Sequence, residues 1–398
     1  MNLSPSSYLN SLGGYAFAEV DKSKEKIIAE RGAEYLIDFG VGDPTDPTPS
    51  VAREETAVHA LRNPDEGYPS YEGEDFFRHA VAGWFKRRFD VELEPESEIT
   101  ATLGSKQAVF SLPMAFVDPG DVVLIPDPGY PPYTTGAKQR GGTPVYMPLK
   151  PGNNFLPDLD AIDPKTADKA SLLWLNSPNN PTTAVIPPDF YRRTIEFCRR
   201  HNILLCSDEA YSEMYYEDGP TPTSLFTIEG GRDVGLVIHS LSKRSNMTNY
   251  RVGFVAGKNE LLQHFKEVQT NMHSGQAQIL QAAGAAALTE EKHVHEMRQI
   301  YSRRREVLLP YLKQAGFRDV YASAGFYVWA RTPKATDSAT LCKLLLEEAG
   351  VNTTPGAALA QQPENGSDFV RFALIQNKDR TEEAGKRLAN LDLSEVSQ

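Results

Sequence analysis

At 398 residues the chain exceeds one simple core, and a composition of 40% apolar and 24% charged residues is that of an ordinary globular protein, so two domains are expected. A formal net charge of -12, with no basic arm or Lys/Arg stripe, excludes a protein that neutralises nucleic-acid phosphates. Cys198, Cys206 and Cys342 are odd in number and far apart, which argues against a disulfide framework or a CxxC site.

His293 and His295 read as a solvated helix face, and no metal is expected. The N-terminus lacks a basic region followed by an apolar core, and no stretch is apolar enough to span a bilayer. A cytoplasmic location without a membrane partner is the expectation.

In chain order, Asp43 to Pro49 is proline-rich and stiff, a hinge or crossing after an N-terminal arm. Glu74 to Arg88 has helical apolar spacing. Ile99 to Leu103 and Val122 to Ile125 are predicted strands, with Asp118-Pro119-Gly120-Asp121 a turn between them. Leu172 to Leu175, Ile203 to Cys206 and Leu236 to Ile238 are further short apolar runs, and Pro188 to His201 is a second predicted helix. Alternation of such runs with helices predicts an α/β fold: a mostly parallel sheet covered on both faces. Beyond about residue 290 the pattern changes to long charged helices. Ala324 to Ala330 and Phe369 to Leu374 then alternate like half-exposed antiparallel strands of a smaller α+β domain. The expected division is 47–289 for the large domain and 1–46 with 290–398 for the small one.

Ligands of an open parallel sheet bind at the carboxyl ends of its strands, so the residues after each apolar run carry the functional reading. Ser240-Leu241-Ser242-Lys243, with Arg251 eight residues on, sets an amine beside hydroxyls and a guanidinium. That combination suits a ligand with both an aldehyde and a phosphate, which pyridoxal 5'-phosphate has. Gly104-Ser105-Lys106 after the first run is a candidate phosphate cradle. Asp208 and Tyr211 follow the fourth run; the carboxylate can pair with a ring N–H, or merely cap the next helix. Asn180 lies in the stiff loop Asn176 to Thr182, and Tyr130 offers a flat face in Pro126 to Tyr133. Arg371, between Val370 and Phe372, is either a carboxylate clamp or an exposed strand arginine.

Together, Ser240-Leu241-Ser242-Lys243 with Arg251, Asn180-Pro181-Thr182, Asp208 with Tyr211, Tyr130 and Arg371 resemble the ordered signature of fold-type I PLP-dependent aminotransferases. The resemblance covers nearly the whole chain and implies that family's fold, a large domain with a seven-stranded type of sheet. It implies that Lys243 forms the imine with the cofactor and then shuttles a proton, that Asp208 partners the pyridinium, and that Tyr211 and Asn180 reach the phenolic oxygen. It assigns phosphate to Ser105, Ser240, Ser242 and Arg251 with Lys106 nearby, ring stacking to Tyr130, and the substrate α-carboxylate to Arg371 and the Gly42 backbone. The family shares its sites across a homodimer, and Tyr68 resembles the tyrosine that reaches the neighbour's phosphate. Thr183 and Asn249 depart from the family, each standing where glycine is common.

Gly14 to Val20, Tyr68 to Gly73, Gly104-Ser105-Lys106 and Ser245 to Thr248 are similar to enzymes that transaminate LL-diaminopimelate, with Tyr15 at the substrate's distal end. Lys243-Arg244-Ser245-Asn246 looks instead like N-succinyl-diaminopimelate aminotransferases. Either implies glutamate and 2-oxoglutarate as the partner pair, in lysine precursor synthesis. Aspartate or alanine aminotransfer is the alternative within the class, and a PLP-dependent β-eliminating lyase the alternative outside it.

Overall fold

The computed structural model describes residues 4–11, 18–333, 336–391 and 393. Its main sheet has seven strands: β2 (Ile99–Thr102), β3 (Val122–Asp127), β4 (Thr143–Pro148), β5 (Ala170–Asn176), β6 (Leu204–Asp208), β7 (Gly235–Ser240) and β8 (Gly253–Ala256), in the order β2-β8-β7-β6-β5-β3-β4. All run parallel except β8, which is antiparallel to both its neighbours. A short strand β1 (Ile37–Asp38) pairs in parallel with β11 (Val351–Asn352).

The apolar runs are continuous because both faces of this sheet are buried. Leu173, Leu205, Val237 and Phe254 point into one layer with Trp84 and Ile195, from the helices Asp75–Phe89 and Pro188–His201. Their neighbours Trp174, Cys206, Leu236 and Val255 point into the opposite layer with Val109, Tyr133 and Phe265. Both predicted helices are present. Asp75–Phe89 stops at Asp90 in a left-handed conformation, φ 55°, and Pro188–His201 has prolines at its start, where an N–H is not needed. The thiols of Cys198, Cys206 and Cys342 are all buried.

A second apolar core gathers Phe39, Tyr301, Leu308, Phe326, Val328, Leu345, Phe372 and Leu388 around a four-stranded sheet. Its order is β12 (Thr354–Pro355), β13 (Phe369–Ala373), β10 (Tyr327–Arg331) and β9 (Arg318–Tyr321), all antiparallel. The helices Lys292–Gln314, Ser338–Ala349 and Lys378–Ala389 contribute to this core. The half-exposed pattern expected for β10 and β13 is wrong. Every residue of β13 is buried, and Trp329 and Phe369, on the face expected to meet water, stack at 5.0 Å against Leu149, Phe155 and Leu359. That face is covered by the loop after β4, which local alternation does not reveal. His293 is likewise not a solvated residue: one ring nitrogen lies 2.6 Å from Glu290 and the other 2.9 Å from Ser245 Oγ.

Because Phe369 is only 3% exposed and stacked between the two cores, Phe369→Ala should cost about 3 to 5 kcal/mol in denaturant unfolding. A half-exposed residue would cost far less.

Candidate active site

The site assembles where β2, β3, β5, β6 and β7 end. Ser240 closes β7, and its Oγ accepts from the Ser242 N–H at 3.2 Å, capping the single turn Leu241–Arg244 that carries Lys243. Lys243 Nζ donates to the Gly42 carbonyl at 2.6 Å and lies 5.3 Å from the Phe326 ring centre. Burial lowers its pKa to about 8; Asp43 opposes this, while Arg371 and Arg251 add to the depression. Glycine is required at Gly42, since a Cβ there would sit 2.1 Å from the Tyr327 hydroxyl.

Asp208 ends β6 with its carboxylate sequestered, accepting from the Tyr133 hydroxyl at 2.7 Å and the Ala210 N–H at 3.2 Å. Burial raises its pKa to about 6 against the opposing pull of those two hydrogen bonds, so it is mainly ionised above neutrality. Tyr133 itself is stacked on Trp174 at 4.8 Å and meets Tyr130 edge-on at 5.8 Å. The hydroxyls of Tyr211 and Tyr327 are 3.2 Å apart. Burial first, then Tyr327, pushes the Tyr211 hydroxyl well up, so it stays protonated as a donor.

At the end of β2, Gly104 takes φ 73° and lies so close to Arg251 that a Cβ would come within 2.5 Å of its Nη2. Arg251 Nη1 is held by the Thr248 carbonyl at 2.8 Å and lies 3.4 Å from Ser242 Oγ, which accepts from Ser240 Oγ at 3.0 Å. Ser105 opens the following helix, and exposed Lys106 lines a surface cavity of about 570 Å³ with Leu103 and Arg251. Across the site, Arg371 is buried on β13. It donates to Asn180 Oδ1 at 2.9 Å, the Gly40 carbonyl at 2.7 Å and Thr354 Oγ1 at 3.2 Å, with its guanidinium 4.6 Å from the Tyr327 ring centre.

Arg371 differs from the other buried cations. Arg78, Arg244, Lys266 and Arg304 reach Asp75, Glu291, Glu72 and Asp46 respectively, whereas Arg371 meets no carboxylate among the described residues; its Nε, like those of Arg244 and Arg304, has no hydrogen-bond partner. A buried guanidinium left in that state is expensive unless an anion completes it.

The structure therefore gathers Lys243, Asp208, Tyr211, Tyr130, Asn180, Ser240, Ser242, Arg251, Gly42 and Arg371 around one place, with Ser105 and Lys106 at its rim. It does not bring in Tyr68, which is 90% exposed, and Tyr15 lies outside the described residues. Sequence reasoning passed over Tyr133 and Tyr327. Tyr133 sits one helical turn after Tyr130 in the same loop, which was a usable signal, but Tyr327 was hidden in an apolar run read only as core. Thr183 has the expected positive φ, 65°; Asn249 does not, and the left-handed residues near it are Asn246 and Arg251, at φ 47° and 54°. The loop turns at those two residues, so no glycine is needed at 249.

The family model for class I and II aminotransferases matches residues 34–388. The chain belongs to this aminotransferase family. It is 42% identical over 387 residues to an LL-diaminopimelate aminotransferase of Aquifex aeolicus, covering 97% of this chain and 98% of that protein. A second LL-diaminopimelate aminotransferase, from Halothermothrix orenii, is 39% identical over the same shares. Among solved structures, substrate-bound BacF of Bacillus subtilis superposes with a TM-score of 0.92 at 32% identity, covering 99% of each chain. The aminotransferase is thus a pyridoxal-phosphate enzyme acting on amino and 2-oxo acids. Its residues fit that cofactor: a buried amine of lowered pKa, a buried carboxylate, a hydroxyl and guanidinium cluster against glycine backbone, and the unmatched Arg371.

Only the neutral amine attacks an aldehyde, so the rate at which apoenzyme takes up pyridoxal phosphate should rise with pH through about 8 rather than 10.5. Stopped-flow absorbance across pH 6 to 10 would show the midpoint.

Proposed function

We propose that this enzyme transfers the amino group between LL-diaminopimelate and 2-oxoglutarate in two half-reactions, with Lys243 as the proton carrier. The observation that carries the chemistry is the pairing of an amine poised at about 8 with a buried guanidinium that meets no carboxylate among the described residues. The names of relatives 42% and 39% identical over nearly the full chain support this substrate over aspartate or alanine. When bound, pyridoxal phosphate supplies the aldehyde that takes up the amino group and an electron-poor ring that draws charge from the substrate Cα.

The residues do the rest. Asp208, ionised above pH 6, keeps a proton on the ring nitrogen beside it, and Tyr133 fixes the carboxylate's orientation. Tyr211 and Asn180 would donate to the ring's phenolic oxygen, and Tyr130 would stack on the ring. Ser105, Ser240, Ser242 and Arg251 would hold the phosphate, with Lys106 adding charge from the rim. Arg371, oriented by Asn180, Gly40 and Tyr327, takes the substrate α-carboxylate bidentately, and that fixes Cα within reach of Lys243. Lys243, whose Nζ lies 2.6 Å from the Gly42 carbonyl, would accept the Cα proton and return one to the cofactor carbon.

The two apolar cores support 47–289 as a large domain, with 1–46 and 290–398 as the small one. A homodimer with shared sites is part of the proposal. It is supported by the exposure of Leu61 at 83%, Tyr68 at 90% and Phe76 at 42%, apolar side chains that a partner would cover. Tyr68 would reach the partner's phosphate. A cytoplasmic location fits the chemistry, and among the described residues no helix is long and apolar enough to cross a membrane.

Lys243→Ala should reduce turnover at least about a thousandfold while leaving the fold intact, in a coupled assay with LL-diaminopimelate and 2-oxoglutarate. Retained turnover contradicts the assignment, and activity with aspartate but not LL-diaminopimelate contradicts the substrate. In ultracentrifugation the active species should be a dimer, and Tyr68→Phe should weaken pyridoxal phosphate binding about tenfold, the loss of one hydrogen bond to a charged group. A fully active monomer would exclude shared sites.

A further inference from the structure

Thr183 is fully buried, β-branched, and held at φ 65°, a conformation that such a residue adopts only under strain. Glycine would sit there freely, so the side chain is retained at a cost. Its hydroxyl has one evident use: Thr183 Oγ1 accepts from the Ser323 N–H at 3.1 Å. The two ends of that hydrogen bond belong to different cores. Thr183 closes the turn after β5, where its own N–H donates to the Asn179 carbonyl at 2.8 Å, and that turn displays Asn180. Ser323 leads into Phe326 and Tyr327 at the start of β10, and the same turn is pinned on its other flank by the Gly325 N–H on the Met214 carbonyl at 2.7 Å.

Asn180 and Tyr327 are two of the groups that orient Arg371, by a hydrogen bond of 2.9 Å on one side and a ring face at 4.6 Å on the other, beside the Gly40 carbonyl and the Thr354 hydroxyl. Only a few residues of chain separate each from the Thr183–Ser323 contact. We propose that Thr183 is a positioning residue for substrate: its hydroxyl fixes the spacing between the Asn180 turn and the β10 entry, and so holds Arg371 at the angle that receives a carboxylate. This rests on the reading of Arg371 as the carboxylate clamp. Asp208, Tyr133 and Lys243 are held by contacts of their own, so the effect falls mainly on carboxylate binding and reaches the cofactor only through Asn180 and, by way of Tyr327, Tyr211.

The test compares Thr183→Gly, which removes both strain and hydroxyl, with Thr183→Ser, which keeps the hydroxyl. The measurements are steady-state kinetics with 2-oxoglutarate, the Kd for glutarate (2-oxoglutarate without its reacting keto group), the cofactor absorption band and Tm. The expected result for T183G is full cofactor occupancy with at most a small shift of the band through Asn180, a Tm close to the parent's, because relieved strain and the lost hydrogen bond have opposite signs, and about a five- to tenfold rise in both KM and glutarate Kd with kcat little altered. T183S should stay within about twofold of the parent. Parental KM and glutarate affinity in T183G overturn the inference, as does a T183S that falls as far as T183G. A T183G Tm far below the parent's also overturns it, since the hydroxyl would then serve the fold. Failure of the parent enzyme itself to transfer an amino group would instead sink the functional reading, which separates the two.

Discussion

A buried guanidinium that meets no carboxylate among the described residues, beside a buried amine that Asp43 compensates only in part, is the constraint on which this molecule is built. Lys243 and Arg371 project toward the same space, from a strand-end turn of one core and the central sheet of the other, and each raises the cost of the other. Elsewhere the chain pairs its buried cations: Arg304 is gripped by Asp46 at 2.7 and 2.8 Å, and Arg244 by Glu291 at 2.6 Å. At the strand ends it does not. An uncompensated buried ion costs on the order of several kcal/mol, so the surrounding sheet and helices must offset a locally unfavourable arrangement. What that arrangement gains is a standing attraction for anionic ligands and an amine that is substantially neutral near pH 8.

The parallel sheet makes this placement possible. Four of the strands that build it deliver a polar or charged group directly past an apolar run, so carboxylate, amine, amide and aromatic ring converge although they lie far apart in the chain. The second sheet adds the opposite wall. β13 carries Arg371 in a fully buried strand, and β10 brings Phe326 and Tyr327 against Lys243 and Gly42. The segment 38–43 bridges them: Gly40 receives Arg371, Gly42 receives Lys243, and the Phe39 carbonyl accepts from Ala373 N–H at 2.8 Å. The placement of Arg371 and Lys243 and the alignment of the two cores are therefore linked through this segment.

Five of the seven strands of the large sheet were legible because each is a short apolar run ended by turn residues, whereas the edge strand β4, with only Met147 buried, and the short β8 gave no such run; the chemistry was legible because the endings carry unusual residues: Lys243 among serines, Asp208 at the close of β6, Asn180 between prolines. The small sheet was less so. Alternation in β10 and β13 reports a preference for one face, but burial of the other depends on Leu149 and Phe155, which arrive from a distant loop. The role of Tyr133 was only partly readable: its spacing from Tyr130 pointed to the site, but its partner Asp208 ends a distant strand, and nothing local shows that this tyrosine holds a carboxylate. Thr183 was flagged by its residue type alone, and its contact with Ser323 emerges only in three dimensions.

The most direct measurement is to load the protein with pyridoxal phosphate, reduce it with borohydride and map the labelled peptide by mass spectrometry. The account predicts a single pyridoxyl group, on the peptide bearing Lys243. A label on Lys106 or any other lysine, or no label at all, would contradict it.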